Sequence, residues 1–269
     1  MSLMTIMAIL LGGVFAGFLT GLLGVGGGVV MVPTLYQIFL AQGVTTRTAF
    51  MTAVATSLFV MIFSGAYAAY IHRQNGLLDR NLVLWTGLGT IFGAIFGAHL
   101  LIVSDDRWVR FGFGIFLWAV AASMYLPTAK ERLKGHIPST GYKAGLVLTG
   151  ILMGIVSGLF GIGGTTLVVP ALVVFFGVTI HQAIATATAL IVVTALSGAS
   201  SYLLAGFNDP QTMIPGAGWV HPLAALVMIL GAFTASRLGI RIAMRIPRPQ
   251  LKGLMVVFQL IVGARFIFF

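Results

Sequence analysis

The residues best placed to do chemistry in this chain are backbone amides and hydroxyls rather than acids or thiols. Two glycine clusters, GVGGG at 24–28 and GIGGTT at 161–166, interrupt long apolar runs. Non-helical backbone inside such a run is tolerated only where protein or a water-filled cavity satisfies it. The N–H groups of Gly26, Gly27 and Gly28, and of Gly163, Gly164, Thr165 and Thr166, are therefore candidate ligands. Each set would form a nest of donors at the N-terminus of the short helix that follows, a geometry suited to an anion. The same glycines would equally serve close helix packing through small residues. Each short segment then holds one proline, Pro33 or Pro170, which is read as structural.

Hydroxyl side chains form a second set. Thr52 and Thr56 are four apart and share one helix face, and Thr186 and Thr188 lie on the corresponding helix of the second half. These four would line a polar path for substrate, although a membrane-helix threonine can instead bond its own i−4 carbonyl. Arg47 and His181 stand at equivalent positions just after the short segments. They would act as gatekeepers for an anion, or else snorkel to the interface. His99, inside an apolar run, is either a proton carrier or a helix-to-helix hydrogen bond.

Acids matter by their position. Asp79, Asp105, Asp106, Glu131 and Asp209 all lie in or beside loops, which disfavours carboxylate proton relays and cation sites. Cysteine is absent, so disulfides and thiolate metal sites are excluded. There is no HExxH and no Ser/His pair with an acid inside a span. No catalytic residue, metal or cofactor is expected. A lumen of amides and hydroxyls suits a small anionic substrate.

The elements that must position these groups follow from composition. Of 269 residues 59% are hydrophobic and 7% charged, against about 25% charged in a soluble domain. The lipid bilayer is the solvent that tolerates this. The net charge of +10 does not signal nucleic acid, because the basic residues fall between apolar runs rather than along a stripe. The runs are 2–24, 29–41, 47–70, 82–103, 108–127, 142–162, 166–178, 182–206, 219–236 and 251–269. Two of them, 29–41 and 166–178, reach only about 20 Å as helices. The first 23 residues lack a basic n-region, the first Lys or Arg being Arg47, so they read as a membrane span rather than a cleaved leader.

The halves repeat each other. GLLGVGGGVVMVP (21–33) matches GLFGIGGTTLVVP (158–170), and GVT at 43–45 answers GVT at 177–179. AT at 55–56 answers AT at 187–188, and SGA at 64–66 answers SGA at 197–199. Residues 1–127 are thus an N-terminal transmembrane repeat, 128–143 a cytoplasmic linker and 144–269 a C-terminal repeat. With the linker inside, eleven basic residues are cytoplasmic: Arg73, Arg80, Lys130, Arg132, Lys134, Lys143, Arg237, Arg241, Arg245, Arg248 and Lys252. Four are outside, Arg47, Arg107, Arg110 and Arg265, as the positive-inside rule requires. An odd number of segments per half inverts the second repeat. The expected fold is an all-α polytopic membrane protein of two inverted repeats, about five hydrophobic segments each, with short broken or re-entrant helices.

The paired Gly-rich phrases, together with ATSLFVMIFSGAYAAY (55–70) and ATALIVVTALSGASSYLLAG (187–206), resemble the TauE/SafE family of sulfite exporters, also called the four-toluene-sulfonate uptake permease family. The resemblance covers essentially the whole chain. It implies a secondary transporter of sulfite, sulfoacetate or other sulfonates in a bacterial inner (cytoplasmic) membrane. Export by alternating access is the expectation. A non-transporting membrane scaffold, a partner-binding subunit and an anion channel are the alternatives, and self-association into a homo-oligomer stays open.

Overall fold

The computed structural model describes residues 3–23, 27–123, 141–243 and 248–268. In them the chain folds into helices α1 (Leu3–Leu23), α2 (Gly28–Ala41), α3 (Thr46–Gln74), α4 (Arg80–Val103) and α5 (Asp106–Ser123), then α6 (Tyr142–Phe160), α7 (Thr165–Phe176), α8 (Ile180–Gly206), α9 (Pro222–Ala243) and α10 (Arg248–Phe268). Local chemistry sets the ends. Thr45 and Thr179 cap α3 and α8, each side chain accepting from the N–H three residues on, as an N-cap should. Asp79 does the same for α4, and Pro222 opens α9 at a position where its missing N–H costs nothing. α9 runs on past Arg237 and Arg241 to Ala243, beyond the expected end at 236. Charge ends an apolar run without ending the helix.

Neighbour contacts give each helix a direction. On α3, Gly65 meets Ile191 and Val192 of α8, while Gly198 of α8 meets Leu58. Rising numbers on one helix meet falling numbers on the other, so these equivalent helices are antiparallel. α5 and α10 behave alike. Gly114 lies against Gly263 and Phe266, and the Trp118 indole donates to the Leu260 carbonyl at 3.2 Å. Antiparallel equivalents mean that one repeat is turned upside down relative to the other.

The repeats are also laced together. α1 runs parallel to α9, with Gly13 on Met228 and Gly17 on Ala232. Its counterpart α6 runs parallel to α4, with Gly89, Gly93 and Gly97 facing Val147, Ile151 and Ile155. From the other side Gly150, Gly154 and Gly158 face Thr86, Thr90 and Ala94. A β-carbon at any of these glycines would strike the partner's backbone. Small residues allow this approach, the usual source of helix affinity where lipid removes the hydrophobic drive.

Among the described residues, four helices, 46–74, 80–103, 142–160 and 181–206, are long and apolar enough to cross a bilayer. Leu84, Leu88, Phe92, Ile95 and Phe96 of α4 are exposed, an outward apolar surface that only lipid would accommodate. The molecule is a multi-pass membrane protein. Helix directions bring the α3–α4 turn, the end of α5, the start of α6, the end of α9 and the start of α10 to one end. The basic segment 71–81 and the end of α9, with Arg237 and Arg241, gather there.

Candidate functional site

The second glycine cluster is a true break. α6 ends at Gly161, which is left-handed (φ 68°). Gly163 (φ 77°) and Gly164 (φ 73°) follow, and Gly164 opens α7. Only glycine enters this region without steric cost. Two hydroxyls pin the break. Ser57 Oγ of α3 lies 3.0 Å from the Gly161 carbonyl oxygen, and Tyr202 of α8 donates to the Gly158 carbonyl at 2.8 Å.

The first cluster meets the second. α2 begins at Gly28, and a β-carbon there would overlap the Gly161 carbonyl and Ile162 Cα. Gly28 and Gly163 both lie against Met61, and Gly163 also against Ile191. Met61 and Ile191 stand near the middle of α3 and α8, at the crossing of these antiparallel helices. α2 runs back along only the first half of α3, as Tyr36 on Phe50 shows (ring centroids 5.9 Å apart). It makes a hairpin with α1, Thr34 lying on Gly12. α3, with 29 residues, is about 43 Å long, so in a bilayer both breaks would fall near mid-depth.

Of the residues singled out in the sequence, Gly27, Gly28, Gly163 and Gly164 are buried at or beside the crossing. Gly26 lies outside the described residues. Thr165 and Thr166 head α7, and their side chains also lie outside the description. Pro33 and Pro170 sit inside α2 and α7, where each lacks the N–H that would bond the carbonyl four residues back. Arg47 is about 21 Å along α3 from Met61. Its guanidinium donates to the Ile102 carbonyl at 2.6 Å and the Ser104 carbonyl at 3.2 Å, closing the C-terminus of α4. His181 is exposed at the start of α8, and His99 is exposed on α4. Neither is brought to the breaks.

The hydroxyls divide sharply. Thr34, Thr90, Thr149, Thr194, Ser197 and Ser201 donate to the carbonyl four residues back. Thr188 donates to Ala185 at 2.8 Å, and Thr56 accepts from the His221 N–H at 3.0 Å. Thr52, Thr86, Ser157 and Thr186 are buried with no partner among the described residues. An unmet buried hydroxyl is costly unless something else binds it. Thr52 lies toward the start of α3 and Thr186 toward the start of α8, hence on opposite sides of the crossing. Near each is a cleft of about 600 Å³. One includes Thr45, Thr48 and Gln211, ending a turn before Thr52. The other includes Arg73, Arg80, the exposed Leu84 and Ala189, which stands between Thr186 and the crossing.

Sequence reading passed over Ser157, Tyr202 and Thr86. A signal for Ser157 existed: Thr20 and Ser157 immediately precede the repeated GLLG and GLFG phrases. Among the described residues no acid appears with the buried polar side chains. Asp79, Asp105 and Asp209 instead accept from N–H groups at the start of turns or helices. No group of metal ligands occurs among the described residues.

Inverted repeats with paired breaks at the centre are an arrangement that recurs among membrane transporters. Residues 9–266 match the family described as "Sulfite exporter TauE/SafE", and the chain belongs to that family of membrane transporters. It is 28% identical to the "Probable membrane transporter protein YunE" of Bacillus subtilis, over 95% of both chains. It is 30% identical to a "Probable membrane transporter protein" of Haemophilus influenzae, over 96% of both, and 29% identical to one of Methanocaldococcus jannaschii, over 93% of both. No solved structure matches the chain significantly.

Proposed function

We propose that the protein is a secondary carrier that exports a small sulfur-containing anion, sulfite or an organic sulfonate, across a bacterial cytoplasmic membrane. The observation that carries this reading is the meeting of the two breaks, Gly28 against Gly161, at the crossing of antiparallel α3 and α8. Glycine backbone and the hydroxyls of Ser57 and Ser157 lie beside that point, and among the described residues the buried polar side chains include no carboxylate. An oxyanion bound beside that contact would find backbone N–H donors. The partnerless Thr52 and Thr186, each a turn from its own cleft, would mark the two routes to the centre. Rocking one repeat against the other would open these routes in turn.

The basic end would face the cytoplasm, where Arg73 and Arg80 of the cleft would concentrate anions. An inside-negative potential drives anion exit by about 2.3 kcal/mol per charge per 100 mV, so export needs no coupling ion. The test is flux of labelled sulfite and of a labelled sulfonate through proteoliposomes holding the purified protein. Saturable flux with exchange against internal anion is the expected result. Folded, incorporated protein that passes no member of a broad anion panel would make it a scaffold. Flux without saturation or counterflow would make it a channel.

A further inference from the structure

We infer that the anion site is one-sided: the oxyanion binds at the start of α7, with the Ser157 hydroxyl as its side-chain ligand, and not at the start of α2. This deepens the carrier reading and rests on it. The two breaks have duplicated sequences, which suggests that they share the anion equally. Their geometry differs. At the first break Gly27 is right-handed (φ −56°), and the Gly161 carbonyl abuts Gly28. The start of α2 therefore already faces an oxygen carrying partial negative charge. An anion arriving there would meet repulsion and no space.

The second break differs in its backbone. Gly163 and Gly164 are both left-handed, while Leu167 and Val168 donate to the Gly164 carbonyl just as Val30 and Met31 do to Gly27 in α2. Among the described residues no acceptor engages the N–H of Ile162, Gly163 or Gly164. The N–H groups of Thr165 and Thr166, in the first turn, have no intrahelical partner by geometry. Beside them is an independent sign of a missing ligand. Ser157 is 0% exposed, and its hydroxyl has no partner among the described residues. A β-carbon on Gly164 would lie 3.6 Å from Ser157 Cβ, so this side chain stands against the residue that opens α7. Other helix hydroxyls nearby, such as Thr90 and Thr194, donate to their own i−4 carbonyls at 2.7 and 2.8 Å. Ser157 does not. Its carbonyl is used instead, accepting from Gly161 N–H at 2.8 Å, which fixes the start of the break relative to the hydroxyl.

Met61 Sδ and Ile191 line the opposite wall at Gly163. A site opened here would have donors on one side and apolar, polarizable groups on the other. It suits an anion with a compact oxygen face and a softer or apolar remainder, as sulfite has in its lone-pair sulfur and a sulfonate in its carbon substituent. It does not suit an anion of four equivalent oxygens such as sulfate.

The test compares Ser157→Ala with Thr194→Val, a control that removes a hydroxyl already bonded to its own helix. Sulfite flux in proteoliposomes is measured against concentration. A hydrogen bond to a charged group contributes about 1.5–3 kcal/mol, so S157A should raise the half-saturation concentration roughly 10-fold or more, while T194V leaves it within about twofold. Sulfate should compete poorly in the wild type. If S157A is not recovered folded, S157C, nearly isosteric with a poorer donor, is read in its place and should also raise half-saturation. Wild-type flux with an unchanged half-saturation in S157A or S157C overturns the one-sided site and leaves the carrier reading standing. Absence of anion flux in the wild type overturns the carrier reading itself.

Discussion

At the scale of single residues, a hydroxyl's bonding state decides what it can do. Most serine and threonine hydroxyls in the helices are spent on their own backbone, as at Thr90 and Thr149. Thr52 and Thr186 are not. Replacing either by valine keeps shape and removes a donor, so each variant should lower transport about 3- to 10-fold, as loss of a bond contributing about 0.5–1.5 kcal/mol implies. Thr188→Val, whose hydroxyl already serves Ala185, should transport at the wild-type rate; initial-rate flux compares the three. Arg47 belongs to a different category. Its guanidinium closes the α4 C-terminus through Ile102 and Ser104, where a cation also complements the helix dipole. Arg47→Ala should therefore lower the thermal midpoint of detergent-solubilised protein, with half-saturation for substrate unchanged. A large rise in half-saturation at wild-type stability would restore it as a gatekeeper.

At the scale of elements, the glycine seams hold the repeats together. Gly93 lets the backbone of α4 touch that of α6 at Ile151, and Gly13 does the same for α1 against α9 at Met228. A side chain there must push two backbones apart, so Gly93→Val should abolish folded, monodisperse protein in size-exclusion chromatography. Gly43→Ala meets open space and carries only the strain of its positive φ of 78°, so it should remain folded. Much of this level was legible in the sequence. Apolar runs bounded by charge, proline and glycine located the helices, because lipid leaves long apolar helices as the available solution. α9 was the exception, since Arg237 and Arg241 end an apolar run without ending a helix. The site was legible only in outline. Two Gly-rich breaks can be read from spelling, but Gly28 abutted by the Gly161 carbonyl and Gly164 set against Met153 and Ser157 cannot. That difference depends on which backbone lies across the break, and the partner is more than a hundred residues away in sequence. For the same reason Arg47 read as a gatekeeper, although its partners sit at the far end of α4.

At the scale of the molecule, inversion is what gives two breaks one centre. Antiparallel α3 and α8 place the N-terminal half of each on opposite sides, so a duplicated sequence supplies both routes to the middle. Because the chain contains no cysteine, the arrangement can be tested with single introduced thiols. A cysteine at Asn75, in the α3–α4 turn, should react with an impermeant maleimide only from the cytoplasmic side. One at Asn208, just after α8, should react only from outside. Labelling of both from the same side would contradict inversion.

The most direct measurement concerns where an anion sits. Selenite is a close analogue of sulfite and carries an anomalous scatterer, so crystals of the protein soaked in selenite can be measured at the selenium edge. The account predicts one dominant anomalous peak in the crossing, within hydrogen-bond reach of Ser157 Oγ and the Gly163–Gly164 amides. Peaks confined to the end clefts, at Arg73 and Arg80 or at Thr45 and Gln211, with an empty crossing, would contradict it.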